Sequence, residues 1–129
     1  MPFLIFLFAF IAPLALYPIE IFFPYPHIVE ELVKALLIFY LLKSKIPPQK
    51  IFGTILIGFL FGLSENLLYL LNSSTAQTQL LRFVLTMPLH IITSLIILTP
   101  ALINKRLIFL GIILAGLIHY FFNIYVSTL

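Results

Sequence analysis

Polar residues are so sparse along this chain that they cut it into five apolar runs: Phe3–Phe23, His27–Leu42, Ile51–Leu71, Leu81–Leu102 and Leu107–Thr128. A bilayer crossing takes about 20 apolar residues in a helix rising 1.5 Å per residue, so each run is a candidate span. The second is short, so either its helix starts inside the membrane or the preceding Pro24-Tyr25-Pro26 segment dips in. The first lacks a basic n-region and is too long for the apolar part of a signal peptide; it is expected to be a retained span, interrupted by Pro13 and Pro18. The connections Lys43–Lys50, Asn72–Leu80 and Ile103–Arg106 are too short to hold a soluble domain. The expected architecture is all-α: a bundle of about five transmembrane helices, with residues 1–129 forming a single transmembrane domain.

Composition sharpens this. The chain is 63% hydrophobic and 9% charged, against about 25% charged in soluble domains, which excludes a water-soluble core. It has no cysteine, so disulfides, thiolate metal sites and cysteine nucleophiles are excluded. The net charge of +3 does not signal nucleic acid, because the basic residues flank apolar runs instead of forming a patch. Lys43, Lys45 and Lys50 share one side of the membrane with Lys105 and Arg106, and only Arg82 lies at the edge of the opposite, uncharged connection. The positive-inside rule then predicts a multi-pass cell-membrane protein with its N-terminus cytoplasmic and its C-terminus outside.

Against this background the acidic residues stand out. Glu30 and Glu31 open an apolar run, and on a helix Lys34 lies one turn below both, at i,i+4 and i,i+3. A charge inside a membrane costs at least about 2.5–3.5 kcal/mol on insertion scales, so such groups are usually paired, inward-facing and functional. One lysine cannot neutralise two carboxylates, so one of them is expected either to hold its proton more tightly or to find a cation or histidine elsewhere. Counting 1.5 Å per residue from the outer ends puts Glu30 and Glu31 about 6 Å deep, Glu65 about 9 Å, and His90 and His119 about 13 Å. Gly58, Gly62, Glu65, Tyr69 and Asn72 share one face of the third run; Thr86, His90, Thr93 and Ser94 share one on the fourth, beside Pro88; His119, Asn123 and Gly116 lie together on the fifth. Helix packing alone accounts equally well for the glycines, and a lone membrane histidine is often just an interhelical hydrogen-bond partner. Glu20 and His27 are expected to reach interfacial water, and most tyrosines to face lipid or the interface. Two histidines and three carboxylates at similar depth on four helices are harder to assign to packing.

The motifs E-E-L-V-K (Glu30–Lys34), G-F-L-F-G-L-S-E-N-L-L-Y (Gly58–Tyr69), His90 and H-Y-F-F-N (His119–Asn123) resemble those of the PrsW-type intramembrane proteases. The similarity runs from about Ile28 to Tyr125. Broader relatives are the CAAX prenyl endopeptidases and bacteriocin-immunity-type membrane proteins. The resemblance implies hydrolysis of a membrane-anchored protein near its membrane boundary, as with anti-sigma factors, so the expected partners are a membrane-spanning protein substrate and the lipid bilayer.

Amide hydrolysis needs an activated water, a stabiliser for the oxyanion and a proton for the leaving amine. One of Glu30 and Glu31 is the expected general base, with the other orienting it or binding metal. His90 and His119 can ligate a metal or stabilise the oxyanion, and Asn123 can position His119 or donate to the oxyanion. Two histidines and a glutamate, here Glu31, His90 and His119, make a zinc set with a position open for water. The spacing is not of the H-E-x-x-H type, so a metal-free mechanism stays open beside the zinc one. Lys34 is expected to tune the glutamate pair, and Glu65, with Asn66 beside it, and Tyr69 to complete the polar wall. The competing classes are a proton- or ion-coupled transporter, for which no inverted repeat is visible, and a non-catalytic binding or immunity protein. A closed, dry cluster with Glu30 locked to Lys34 would favour the last.

Overall fold

The computed structural model describes residues 2–72 and 75–128. They form five helices, α1 (Pro2–Phe22), α2 (Pro26–Leu41), α3 (Pro47–Asn72), α4 (Ala76–Ile103) and α5 (Ile108–Ser127), with a 3₁₀ turn at Lys105–Leu107 and no strand among the described residues. Four helical stretches are long and apolar enough to cross a membrane. The remaining helix, α2, has 16 residues, or about 24 Å, against about 30 Å of hydrocarbon.

Local chemistry explains where the helices begin. Pro26 opens α2 and Pro47-Pro48 open α3, first-turn positions where a missing N–H costs nothing and the fixed φ is already helical. Thr75 caps α4, its hydroxyl accepting from the Thr78 N–H at 3.3 Å, so most of the uncharged Asn72–Leu80 connection is helical. Ser73, Ser74 and the side chain of Asn72, which sequence placed on the α3 polar face, lie outside the described residues. The expected interruption of the first span is absent: α1 runs unbroken through Pro13 and Pro18, as α4 does through Pro88 and Pro100. Membrane helices tolerate prolines where neighbouring helices and local adjustments satisfy the freed carbonyls.

The shortest helix is the central one, since α2 packs against each of the other four. Around it α4 is held between α3 and α5, and glycines set those distances. A Cβ on Gly58 would stand 2.5 Å from the His90 carbonyl oxygen and 2.7 Å from the Ile91 Cα. On the other side of α4, a Cβ on Gly111 would lie 2.6 Å from the Ile97 Cα. Backbone-to-backbone approach of this kind is what small residues permit in membrane bundles. Gly58→Ala must therefore push α3 off α4 just where His90 is anchored. The expected cost is about 1–3 kcal/mol, read as a loss of bundle stability in detergent, while Gly116→Ala, whose Cβ meets nothing within 4 Å, is expected to be silent.

The interior divides into two halves. Toward the lysine-bearing connection it is apolar, built from residues such as Ile38, Ile57, Phe61, Ile97 and Ala101. Toward the other end the buried side chains are polar: Glu30, Glu31, Lys34, His90, Thr93 and His119. Outside, large apolar side chains such as Phe3, Phe22, Phe52, Leu71 and Phe109 are exposed. Apolar outside and polar within is the arrangement a lipid solvent favours, and the chain is a multi-pass all-α membrane bundle.

Candidate active site

Lys34 lies at the centre of the polar half with no exposed surface. Its Nζ donates to Glu31 Oε1 at 2.7 Å and to Thr93 Oγ1 at 2.8 Å, and its third contact is His90 Nδ1 at 3.3 Å. An ammonium has three protons and no acceptor, so these partners use it fully. Of the two carboxylates it could have met, it takes Glu31 (i,i+3); no ion pair with Glu30 forms among the described residues. The sequence placed it between both carboxylates, but Thr93 and His90 on α4 draw it to one side.

Glu31 is wholly buried, and its Oε1 also meets His119 Nδ1 at 2.7 Å. The carboxylate can only accept, so Nδ1 carries the proton, and a neutral ring then presents an Nε2 lone pair. That lone pair points at Glu30, whose Oε2 lies 3.7 Å from Nε2 and has no hydrogen-bond partner. Two acceptors facing each other in a buried site call for a proton or a cation between them. His90 completes the group. Its ring packs edge-on to His119 with centroids 5.2 Å apart, and ligand atoms of Glu30, His90 and His119 all lie within 4.8 Å of one another. The sequence put Glu31 in the metal set; the carboxylate whose oxygen lies close enough to both histidines is that of Glu30, while Glu31 Oε1 meets Lys34 and His119.

Glu65 is saturated, with Oε1 accepting from the Tyr69 hydroxyl at 2.6 Å and Oε2 contacting His90 Nε2. It works as a brace from α3 to α4. Asn66 turns away, donating Nδ2 to the Gly62 carbonyl at 2.7 Å within its own helix. Of the two roles open to Asn123, no hydrogen bond to His119 is found among the described residues; Asn123 is exposed and lines the cavity.

That cavity measures about 480 Å³ and takes residues from all five helices. Glu30, Glu65 and His119 form its floor, and Tyr17, Glu20 and Arg82 stand in its wall. Tyr17 and Glu20 were expected at the interface, yet both contribute to it. His27, expected to reach interfacial water, is buried instead, its ring packed on His119 at 5.9 Å and on Tyr120 at 5.6 Å. Sequence reasoning also missed the part of Thr93 as the hydroxyl that fixes Lys34; its position three residues after His90, on the same face, was the available signal.

A family model described as PrsW family intramembrane metalloprotease matches residues 6–129. The chain belongs to the PrsW family. No curated protein and no solved structure matches it. PrsW membership carries the coarse activity, proteolysis within the membrane, and with it a membrane-protein substrate in a lipid environment. The residues suit the metal that the family description implies: two imidazoles and a carboxylate beside an open cavity match the three-ligand arrangement of catalytic zinc sites, with the condition that His90 give up Lys34 or Glu65, which engage its two ring nitrogens. Glu31 gripping the His119 Nδ1–H is the outer carboxylate that usually orients a ligating histidine.

Proposed function

We propose that this PrsW-family chain is an endopeptidase that cuts membrane-spanning proteins, of the kind represented by anti-sigma factors, in the segment next to the outer membrane face. The observation that carries the assignment of roles is the division of labour between adjacent carboxylates: each has an unpartnered Oε2, but Glu31 is tied through Oε1 to Lys34 and His119 Nδ1, whereas Glu30 Oε2 faces His119 Nε2 at 3.7 Å and Glu30 lines the cavity. Glu30 is the reactive carboxylate. Where the site works on water alone, it takes the water's proton and passes it to the leaving amine. Where an ion is held, Glu30, His90 and His119 hold it, with zinc the metal these donors favour. Bound there, such an ion lowers the pKa of water and polarises the scissile carbonyl.

Other residues orient these groups. Lys34 fixes Glu31, Glu31 fixes the His119 tautomer, and the Tyr69–Glu65 brace holds His90. Asn123 at the mouth is placed to meet the substrate backbone. A dry cluster with Glu30 locked to Lys34 would have suited a non-catalytic membrane protein; the free Glu30 oxygen and the open cavity support catalysis instead.

The side of the cut follows from the charges. The cavity opens at the end away from Lys43, Lys45, Lys50, Lys105 and Arg106, which the positive-inside rule puts in the cytoplasm. There a substrate helix can unwind where water reaches its backbone groups. In proteoliposomes, a tagged single-pass substrate is expected to be cut in its outer juxtamembrane segment. A chelator should abolish the cut and zinc restore it. Indifference to chelator would assign the reaction to water and Glu30 alone, and a cut in the cytoplasmic tail would overturn the orientation.

A further inference from the structure

Arg82 is the basic residue that the charge pattern leaves over. The other surface cations lie at the lysine-bearing end, and Lys34 is buried and paired. Arg82 is half-buried and lines the cavity beside Tyr69, the one arginine or lysine in its wall. Its guanidinium carbon stands 4.4 Å from the Tyr69 ring centroid, a cation–π stack. Tyr69 is itself fixed, its hydroxyl donating to Glu65 at 2.6 Å and its carbonyl accepting from Gln79 Nε2 at 2.9 Å. None of the ion pairs among the described residues includes Arg82, although Glu20, Glu30 and Glu65 line the same cavity. A guanidinium held over an aromatic ring, with no carboxylate paired to it among the described residues, is preorganised for a planar carboxylate.

We infer that Arg82 is a specificity subsite that binds a carboxylate of the substrate, carried on the stretch of peptide between the cut and the cavity mouth. This rests on the proteolytic reading of the site. The helices set the distance. Arg82 precedes His90 by eight residues of α4, about 12 Å along the axis, and Tyr69 lies four residues beyond Glu65, about 6 Å. At 3.3–3.6 Å per extended residue, the carboxylate falls roughly two to four residues from the scissile bond. Its source is an Asp or Glu side chain or the peptide's own C-terminus, since both offer the same planar anion.

The test uses the full chain carrying Glu30→Gln in phosphatidylcholine nanodiscs, and fluorescent single-span peptides in which one Asp is walked along eight juxtamembrane positions, each with an Asn twin. One short window is expected in which Asp binds about ten- to a hundredfold tighter than Asn. Arg82→Gln should erase that ratio, and Arg82→Glu should transfer the preference to a Lys probe. Arg82→Lys keeps the cation and part of the preference, and it serves if the neutral variant does not fold. Amidating the peptide C-terminus separates the two carboxylate sources: an Asp-over-Asn window belongs to a side chain, and affinity that both twins lose on amidation, but only with Arg82 present, belongs to the terminus. Equal binding of Asp and Asn twins together with indifference to C-terminal amidation overturns the inference, as does an Asp preference that persists without Arg82. It is also overturned if Arg82→Gln weakens every probe alike and only with phosphatidylglycerol present, which would make the partner a lipid phosphate. Cleavage of the neutral probe by the unmodified chain is scored separately, so failure of the proteolytic reading is distinguishable from failure of the subsite.

Discussion

Glu30→Gln is expected to give a bundle at least as stable as the parent, with cleavage slowed by about two to four orders of magnitude. The substitution keeps the size of the side chain and replaces a carboxyl whose Oε2 has no hydrogen-bond partner, so little native structure depends on it. What it removes is the ionisable group facing His119 Nε2, and with it the proposed acceptor for a water's proton or the anionic ligand for an ion. The paired measurement is the cleavage rate in proteoliposomes and the unfolding midpoint in detergent. Undiminished cleavage by Glu30→Gln would take Glu30 out of the reaction. A rate loss that merely tracks a collapse in stability would make it a structural residue.

Lys34→Met should do the reverse and act first on stability. It strands Glu31 as an uncompensated anion with no exposed surface and deprives Thr93 and His90 Nδ1 of their donor. Breaking one side of a buried pair costs about 3–5 kcal/mol, whereas replacing both partners together is often close to neutral. The double variant Glu31→Gln/Lys34→Met is therefore expected to regain most of the lost stability. It should not regain activity, because His119 loses the carboxylate that fixes its tautomer, and outer-shell losses of this kind cost about 10- to 100-fold. Unfolding measurements on the two single variants and the double close the cycle. Additive losses would show that Lys34 and Glu31 do not act as a pair.

Much of this was legible in the sequence, for definite reasons. Apolar runs of bilayer length announce a membrane bundle because lipid leaves the chain few alternatives. Residue counts along helices placed Glu30, Glu31, Glu65, His90 and His119 at similar depth, and they do meet. Which carboxylate Lys34 would choose was not legible, because the i,i+3 and i,i+4 spacings are equally good within α2, and the decision came from Thr93 and His90 on α4. The same limit hid Tyr17, Glu20 and Arg82 in the cavity wall: sequence gives their height on a helix, but not which neighbour the helix turns them toward. His27 was misjudged similarly, since its closeness to the end of a span suggested water, whereas α5 covers it with His119 and Tyr120. The prolines of α1 misled because rules for soluble helices were applied to a helix in lipid.

The polar centre draws Glu30, Glu31 and Lys34 from α2, Glu65 from α3, His90 from α4 and His119 from α5. Helices enter a bilayer one after another and dock afterwards, so the newly inserted chain carries every reactive group while lacking the reaction centre. Until α5 arrives, Glu31 lacks His119, and Glu30 faces no imidazole. On the proposed roles, cleavage has to wait until α5 has inserted and docked, so membrane neighbours meet an incomplete centre before that step.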